Sequence, residues 1–260
     1  MKCILVLSDL KDEANATLNG GVGLAKMLGA EIDFFCVKNA SDVVDGDNQL
    51  SAMRTINQNY TKTDKIIKTL IKSATKNNGI KINYAYAFGH VKHEIKNRIK
   101  QTNPDIVVLG KRKSNVLNIS RNNTTSLVLK QFNGPILIVD DSNNALTPTK
   151  NLVLGILNGS ENTFNSKLVS ALKPFSETTL KSFVVGDVPS NGIPKQNTVE
   201  YVFEANDNTI GNLKNYISKN HINLLLLDRT DEQSNNKTKP NIKTFINKLN
   251  VSVLLTSQLS

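Results

Sequence analysis

With 260 residues, 39% of them apolar, the chain is longer than one ordinary domain and holds enough apolar side chain for two packed cores, which excludes a disordered protein. No apolar run approaches the length of a bilayer-crossing helix, and the run from Met1 to Leu7 is too short before Asp9 to act as a secretion signal, so a soluble cytoplasmic protein is expected. The formal charge of +10 is local: Ser51 to Lys113 holds 14 lysines and arginines against three acids, and the remainder is close to neutral.

The elements read off in chain order. Cys3 to Leu7 is a continuous apolar run, Ser8-Asp9 a polar break, and Ala14 to Leu28 an Ala/Gly/Leu-rich stretch, giving strand, loop and helix. Gly29-Ala30 closes that helix and Glu31 to Val37 is a second strand. Cys3 and Cys36 then fall on neighbouring parallel strands, roughly 13 Å apart along the sheet, too far for a disulfide, and a reducing compartment follows. Thr61 to Lys76 is helical, with Ile66, Ile67, Leu70, Ile71 and Ala74 on one face and Lys65, Lys68, Lys72 and Lys76 on another.

Ile80 to Phe88 alternates as a strand does, and after Gly89 a helix carries Val91, Ile95 and Ile99 at four-residue steps until Asn103-Pro104. Asp105 to Gly110 is a strand, Ser126 to Phe132 a helix and Ile136 to Val139 a closing strand. Residues 1–142 form one domain, 143–150 a linker, and 151–260 a second domain in which the pattern restarts. There Asn151 to Leu157, Leu180 to Val185, Val199 to Phe203, Asn223 to Leu227 and Val251 to Leu255 are strands. Phe164 to Leu172, Ile210 to Ser218 and Ile242 to Leu249 are helices. The alternation predicts two tandem α/β, Rossmann-like domains on parallel sheets with right-handed crossovers. The second lacks the basic helix and has only about a dozen residues between its second and third strands, near the minimum for a crossover.

In such sheets ligands collect beyond the carboxyl ends of the strands. In the first domain these ends are Ser8-Asp9, Val37-Lys38, Gly89-His90 and the loop from Gly110 to Thr125. Ile4-Leu5-Val6-Leu7-Ser8-Asp9, Gly89-His90-Val91, Pro104 to Gly110 and Gly134 to Val139 make the chain resemble a tandem universal stress protein. The resemblance covers the whole first domain; in the second it covers strand order and Asn158-Gly159-Ser160. It implies the adenine nucleotide alpha hydrolase-like fold, five-stranded sheets of order 3-2-1-4-5 and a built-in dimer joined through the closing strands.

Members of that family that bind ATP carry glycine, two residues, glycine, nine residues, then glycine before serine or threonine. On this chain the pattern falls on Gly110, Lys113, Asn123 and Thr124, so one of three glycines survives and two side chains occupy space the family leaves empty. With Ser8, Asp9 and Val37 these residues form a degenerate nucleotide-binding set. The expectation is a non-catalytic stress-response protein that senses a ligand or binds a partner, with ATP or another adenine nucleotide bound weakly by the first domain or not at all. His90, His93 and His221 show no metal-ligand spacing and no nucleophile motif appears, so no enzyme and no cofactor is implied. A homodimer and electrostatic nucleic-acid binding through residues 51–113 are the remaining partner expectations, with little base stacking because no aromatic lies among the four lysines.

Overall fold

The computed structural model describes residues 3–38, 49–76, 79–111, 124–141, 146, 152–159, 167–176, 179–186, 198–229 and 242–256. The first half runs β1 (Cys3–Ser8), α1 (Ala14–Leu28), β2 (Glu31–Lys38), α2 (Gln49–Thr75), β3 (Ile82–Phe88), α3 (Val91–Thr102), β4 (Ile106–Gly110), α4 (Thr124–Gln131) and β5 (Ile136–Val139). The second runs β6 (Leu154–Leu157), α5 (Lys167–Leu172), β7 (Leu180–Val185), β8 (Thr198–Phe203), α6 (Thr209–Lys219), β9 (Leu224–Leu227), α7 (Ile242–Lys248) and β10 (Ser252–Leu255).

The strands lie in the order β3-β2-β1-β4-β5-β10-β9-β6-β7-β8. Each half therefore has the expected order 3-2-1-4-5, parallel throughout. The two sheets are fused into one: β5 and β10 pair antiparallel, Ile138 opposite Val253 and Leu137 opposite Leu254. This ladder covers two apolar edges that would otherwise stand bare. Helices coat both faces, which is why the central strands β4, β5, β6 and β9 are apolar runs that do not alternate. Leu5, Leu7, Val107 and Leu109 pack under α3, α4, α6 and α7; Ile4, Val6, Ile106 and Val108 pack under α1, α2 and α5. Both clusters run across the β5–β10 seam.

Several expectations are corrected. α2 starts at Gln49, three turns before Thr61, because Asn57 and Asn59 are weak helix formers that obscure the pattern. Ile66 is not on its buried face: it is 40% exposed, while Thr63, Ile67 and Ala74 form the buried line. Cys3 lies opposite Glu31 and Cys36 opposite Ser8, five register steps or about 16 Å apart, and both thiols are free. Leu146 is buried, and a Cβ on Gly23 would stand 1.7 Å from the Leu146 carbonyl oxygen, so only glycine lets α1 sit against this backbone.

Candidate functional site

The register gathers the predicted strand ends on one rim. Leu7 lies between Phe35 and Leu109, so Ser8, Cys36-Val37 and Gly110 end together above α1. Each is engaged in local structure. Ser8 Oγ accepts the Leu10 N–H at 3.1 Å and Asp9 Oδ1 accepts the Lys11 N–H at 3.1 Å, fixing a turn in which Leu10 has φ +61°. These are the local turns that short polar side chains make with the backbone two residues on; α1 begins later, at Ala14, with no side-chain bond at its Glu13 cap. The Val37 side chain is buried in the core, leaving only its backbone for a ligand. Thr124 opens α4; Lys113 and Asn123 lie outside the described residues.

Gly110 has a packing reason of its own. A Cβ there would stand 2.3 Å from Thr17 Oγ1, and Thr17, buried on α1, donates that hydroxyl to the Glu13 carbonyl at 2.7 Å. The surviving family glycine thus admits the first turn of α1, whatever else it does.

The residue after it crosses to the other half. Lys111 Nζ pairs with Asp140 at 3.0 Å, both side chains nearly buried, and donates to the Leu249 carbonyl just past α7. Arg229 does the reverse. It is 1% exposed, and its guanidinium donates to the carbonyls of Leu129 (2.6 Å), Phe132 (2.8 Å) and Gly134 (3.0 Å) at the end of α4. The ladders make the two equivalent: Leu109 and Leu227 each face the end of the first strand of their half, and Lys111 and Arg229 each follow two residues later. Each cation therefore caps the last helix of the opposite half, where carbonyls lack intrahelical donors and the dipole favours positive charge.

In the second half the end of β6 is bonded to β7. Asn158, at φ +47°, accepts the Val185 N–H at 2.8 Å through Oδ1 and donates its own N–H to the Phe183 carbonyl. Asp228 stands where the first half has Gly110 and is buried.

Two buried features escaped sequence reasoning. Arg98 of α3 makes a bidentate pair with Asp33 of β2, Nε to Oδ2 at 2.8 Å, its guanidinium carbon 5.3 Å from the Phe35 ring centre. Cys36 sits at the rim with its side chain buried, and burial pushes its thiol up to about 12 despite Lys38. Among the described residues no group of His, Cys, Asp and Glu could hold a metal ion, and no helix is long and apolar enough to cross a membrane.

Lys65, Lys68, Lys72 and Lys76 are exposed on α2, a helix joined to the rim where Lys38 donates to Thr63 Oγ1 at 3.3 Å. Lys68 is engaged with Asp64 at 2.8 Å, and the hydrogen bonds from Lys68 and then Tyr84 hold the Asp64 carboxyl below the usual range.

The sequence pattern of the Universal stress protein family matches residues 1–140. The chain belongs to the universal stress protein family. Over nearly the full length, a universal stress protein from Archaeoglobus fulgidus DSM 4304 has the same fold: TM-score 0.69, 14% identity, 98% of this chain and 96% of that one covered. A functionally unknown protein from Pseudomonas aeruginosa PAO1 also matches, with TM-score 0.58, 10% identity and coverage of 98% and 92%. At these identities the likeness concerns fold alone, and it extends the tandem arrangement to the second half, where the family pattern does not reach. No curated protein matches the chain significantly.

Proposed function

We propose that this universal stress-type protein is non-catalytic and acts in the stress response by sensing a ligand or docking a partner on its first half, with ATP affinity weak or lost. The observation that carries this reading is the engagement of the rim by the fold itself. Gly110 admits Thr17, Lys111 crosses to Leu249, Asp9 caps its own turn, and Val37 is buried in the core. A nucleotide at this rim would find the Ser8 hydroxyl and the Asp9 carboxylate already holding the Leu10 and Lys11 amides, and Lys113 and Asn123 add side chains where close backbone approach needs glycine. The second half acts as a built-in partner, contributing Arg229 and β10 to the seam.

The test is mass spectrometry of small molecules released from freshly purified protein, followed by calorimetric titration with ATP. No stoichiometric ATP and weak binding are expected. A low-micromolar dissociation constant that is lost on Asp9→Ala would overturn the reading and restore the family site.

A further inference from the structure

The basic helix does not stand alone. Tyr60, Asp64 and Lys68 lie at four-residue steps down one side of α2. That side is turned toward β3, because Asp64 Oδ1 accepts the Tyr84 hydroxyl at 2.9 Å. β3 is an outer strand of the ten-stranded sheet, and its alternate residues Tyr84, Tyr86 and Phe88 share the face beside α2. The Tyr60 ring lies 4.5 Å from Phe88 and 5.6 Å from Tyr86, and Tyr86 meets Phe88 edge-on at 6.2 Å. Tyr60 is 40% exposed, and Tyr84, Tyr86 and Phe88 are half-buried. Next around the helix from Lys68, at the angles set by 3.6 residues per turn, come the exposed Lys72, Lys65 and Lys76.

The fold thus puts an aromatic surface, its rings fixed by one another and by Asp64, beside a row of cations that the chain holds apart from them. The expectation of little stacking rests on the lack of aromatics between Lys65 and Lys76; the fold brings aromatics to this helix from β3 and from its own preceding turns. Because Lys68 is engaged with Asp64, the available charges are those of Lys65, Lys72 and Lys76.

We propose that this edge binds single-stranded nucleic acid, with bases stacking on Tyr60, Tyr86 and Phe88 and phosphates meeting Lys65, Lys72 and Lys76. Stacking requires unpaired bases, so a duplex, which hides its base faces, gains only the electrostatic part. Every base has a face to stack, so sequence preference is slight. The aromatic end of this surface adjoins the rim, since Tyr86 pairs with Cys36 and Phe88 with Lys38, but the inference needs no nucleotide bound there.

The experiment titrates the full chain with a fluorescein-labelled thymidine 20-mer and with a hairpin duplex of equal phosphate count, at low and moderate salt. Single strand should bind at least about tenfold tighter than duplex, as stacking on two or more rings implies. Tyr60→Ala, an exposed position where circular dichroism should report an intact fold, should weaken single-strand binding about fivefold or more with the salt slope unchanged. Lys65→Glu with Lys72→Glu should lower that slope by about 1 or more. A second readout is direct: the chain has no tryptophan and five tyrosines, of which Tyr60, Tyr84 and Tyr86 are here, so the oligonucleotide should quench intrinsic emission. Equal affinity for duplex and single strand, indifference to Tyr60→Ala, or no binding at low salt would each overturn the proposal.

Discussion

Replacing Arg229 with methionine withdraws donors from the carbonyls of Leu129, Phe132 and Gly134 at once, at the end of a helix with no intrahelical partners to offer them. Hydrogen bonds from a charged donor contribute about 1.5–3 kcal/mol each, so the gross loss is about 5–9 kcal/mol. Against this, the variant no longer keeps a guanidinium out of water, which recovers several kcal/mol. Methionine fills much of the same volume, so the cavity term stays small. The net expectation is a destabilisation of about 3–5 kcal/mol, in the range for breaking a buried ionic arrangement. Urea unfolding followed by far-ultraviolet circular dichroism and tyrosine emission measures it. With an m-value of about 3 kcal/mol/M, the midpoint should fall by about 1–1.7 M with the slope unchanged. Tyrosines lie in both halves, and both cores cross the seam, so the two probes should move together. A variant within about 1 kcal/mol of the parent, near the effect of an ordinary surface change, would refute the capping role of Arg229.

Two further outcomes follow from the rim. Gly110→Ala drives a methyl to within 2.3 Å of Thr17 Oγ1 and should cost about 1–3 kcal/mol, while adding Thr17→Ala removes the obstructing hydroxyl and should restore part of it; no rescue in thermal unfolding would remove the packing explanation of this glycine. Cys36 is protonated in both folded and unfolded states below its ordinary value of 9.0, but between there and about 12 the unfolded chain ionises the thiol and the folded chain does not. Stability should therefore fall as pH rises through that window, less so in Cys36→Ala, and thiol labelling at pH 8 should be slow until denaturant is added; rapid labelling of Cys36 in the native protein would contradict its burial.

The parts of the fold that were legible in the sequence are those with local end signals. α1 runs from Ala14 to Leu28 as read, because Gly29 closes it in the left-handed conformation, its N–H on the Ala25 carbonyl. β5 and β7 likewise match residue for residue. What was hidden depends on pairings far apart in sequence. Arg229 opens a polar stretch that reads as surface, and only the β5–β10 ladder carries it to carbonyls about a hundred positions away. A strand-by-strand alignment of the halves would have offered one clue, since a cation stands two places after the matched leucine in both. Of the candidate residues, Ser8 and Gly110 end neighbouring strands, which the strand pattern shows, but that Gly110 answers to Thr17 and Val37 to the core is a matter of how closely α1 and the neighbouring strands approach. Tyr84, Tyr86 and Phe88 read as strand residues; only the fold sets them against Tyr60.

The antiparallel joint between β5 and β10 also changes what association means for this chain. Between separate molecules such a contact forms and breaks with concentration, and every lost hydrogen bond appears as dissociation. Here a connection running from Val139 to Leu154 supplies the partner at an effective concentration on the order of millimolar, whatever the dilution. The joint is therefore relieved of the need for self-complementarity. A lysine with an aspartate on one side and an arginine on three carbonyls on the other is an arrangement that two identical copies could not share, and the tether lets such drift accumulate without the halves parting.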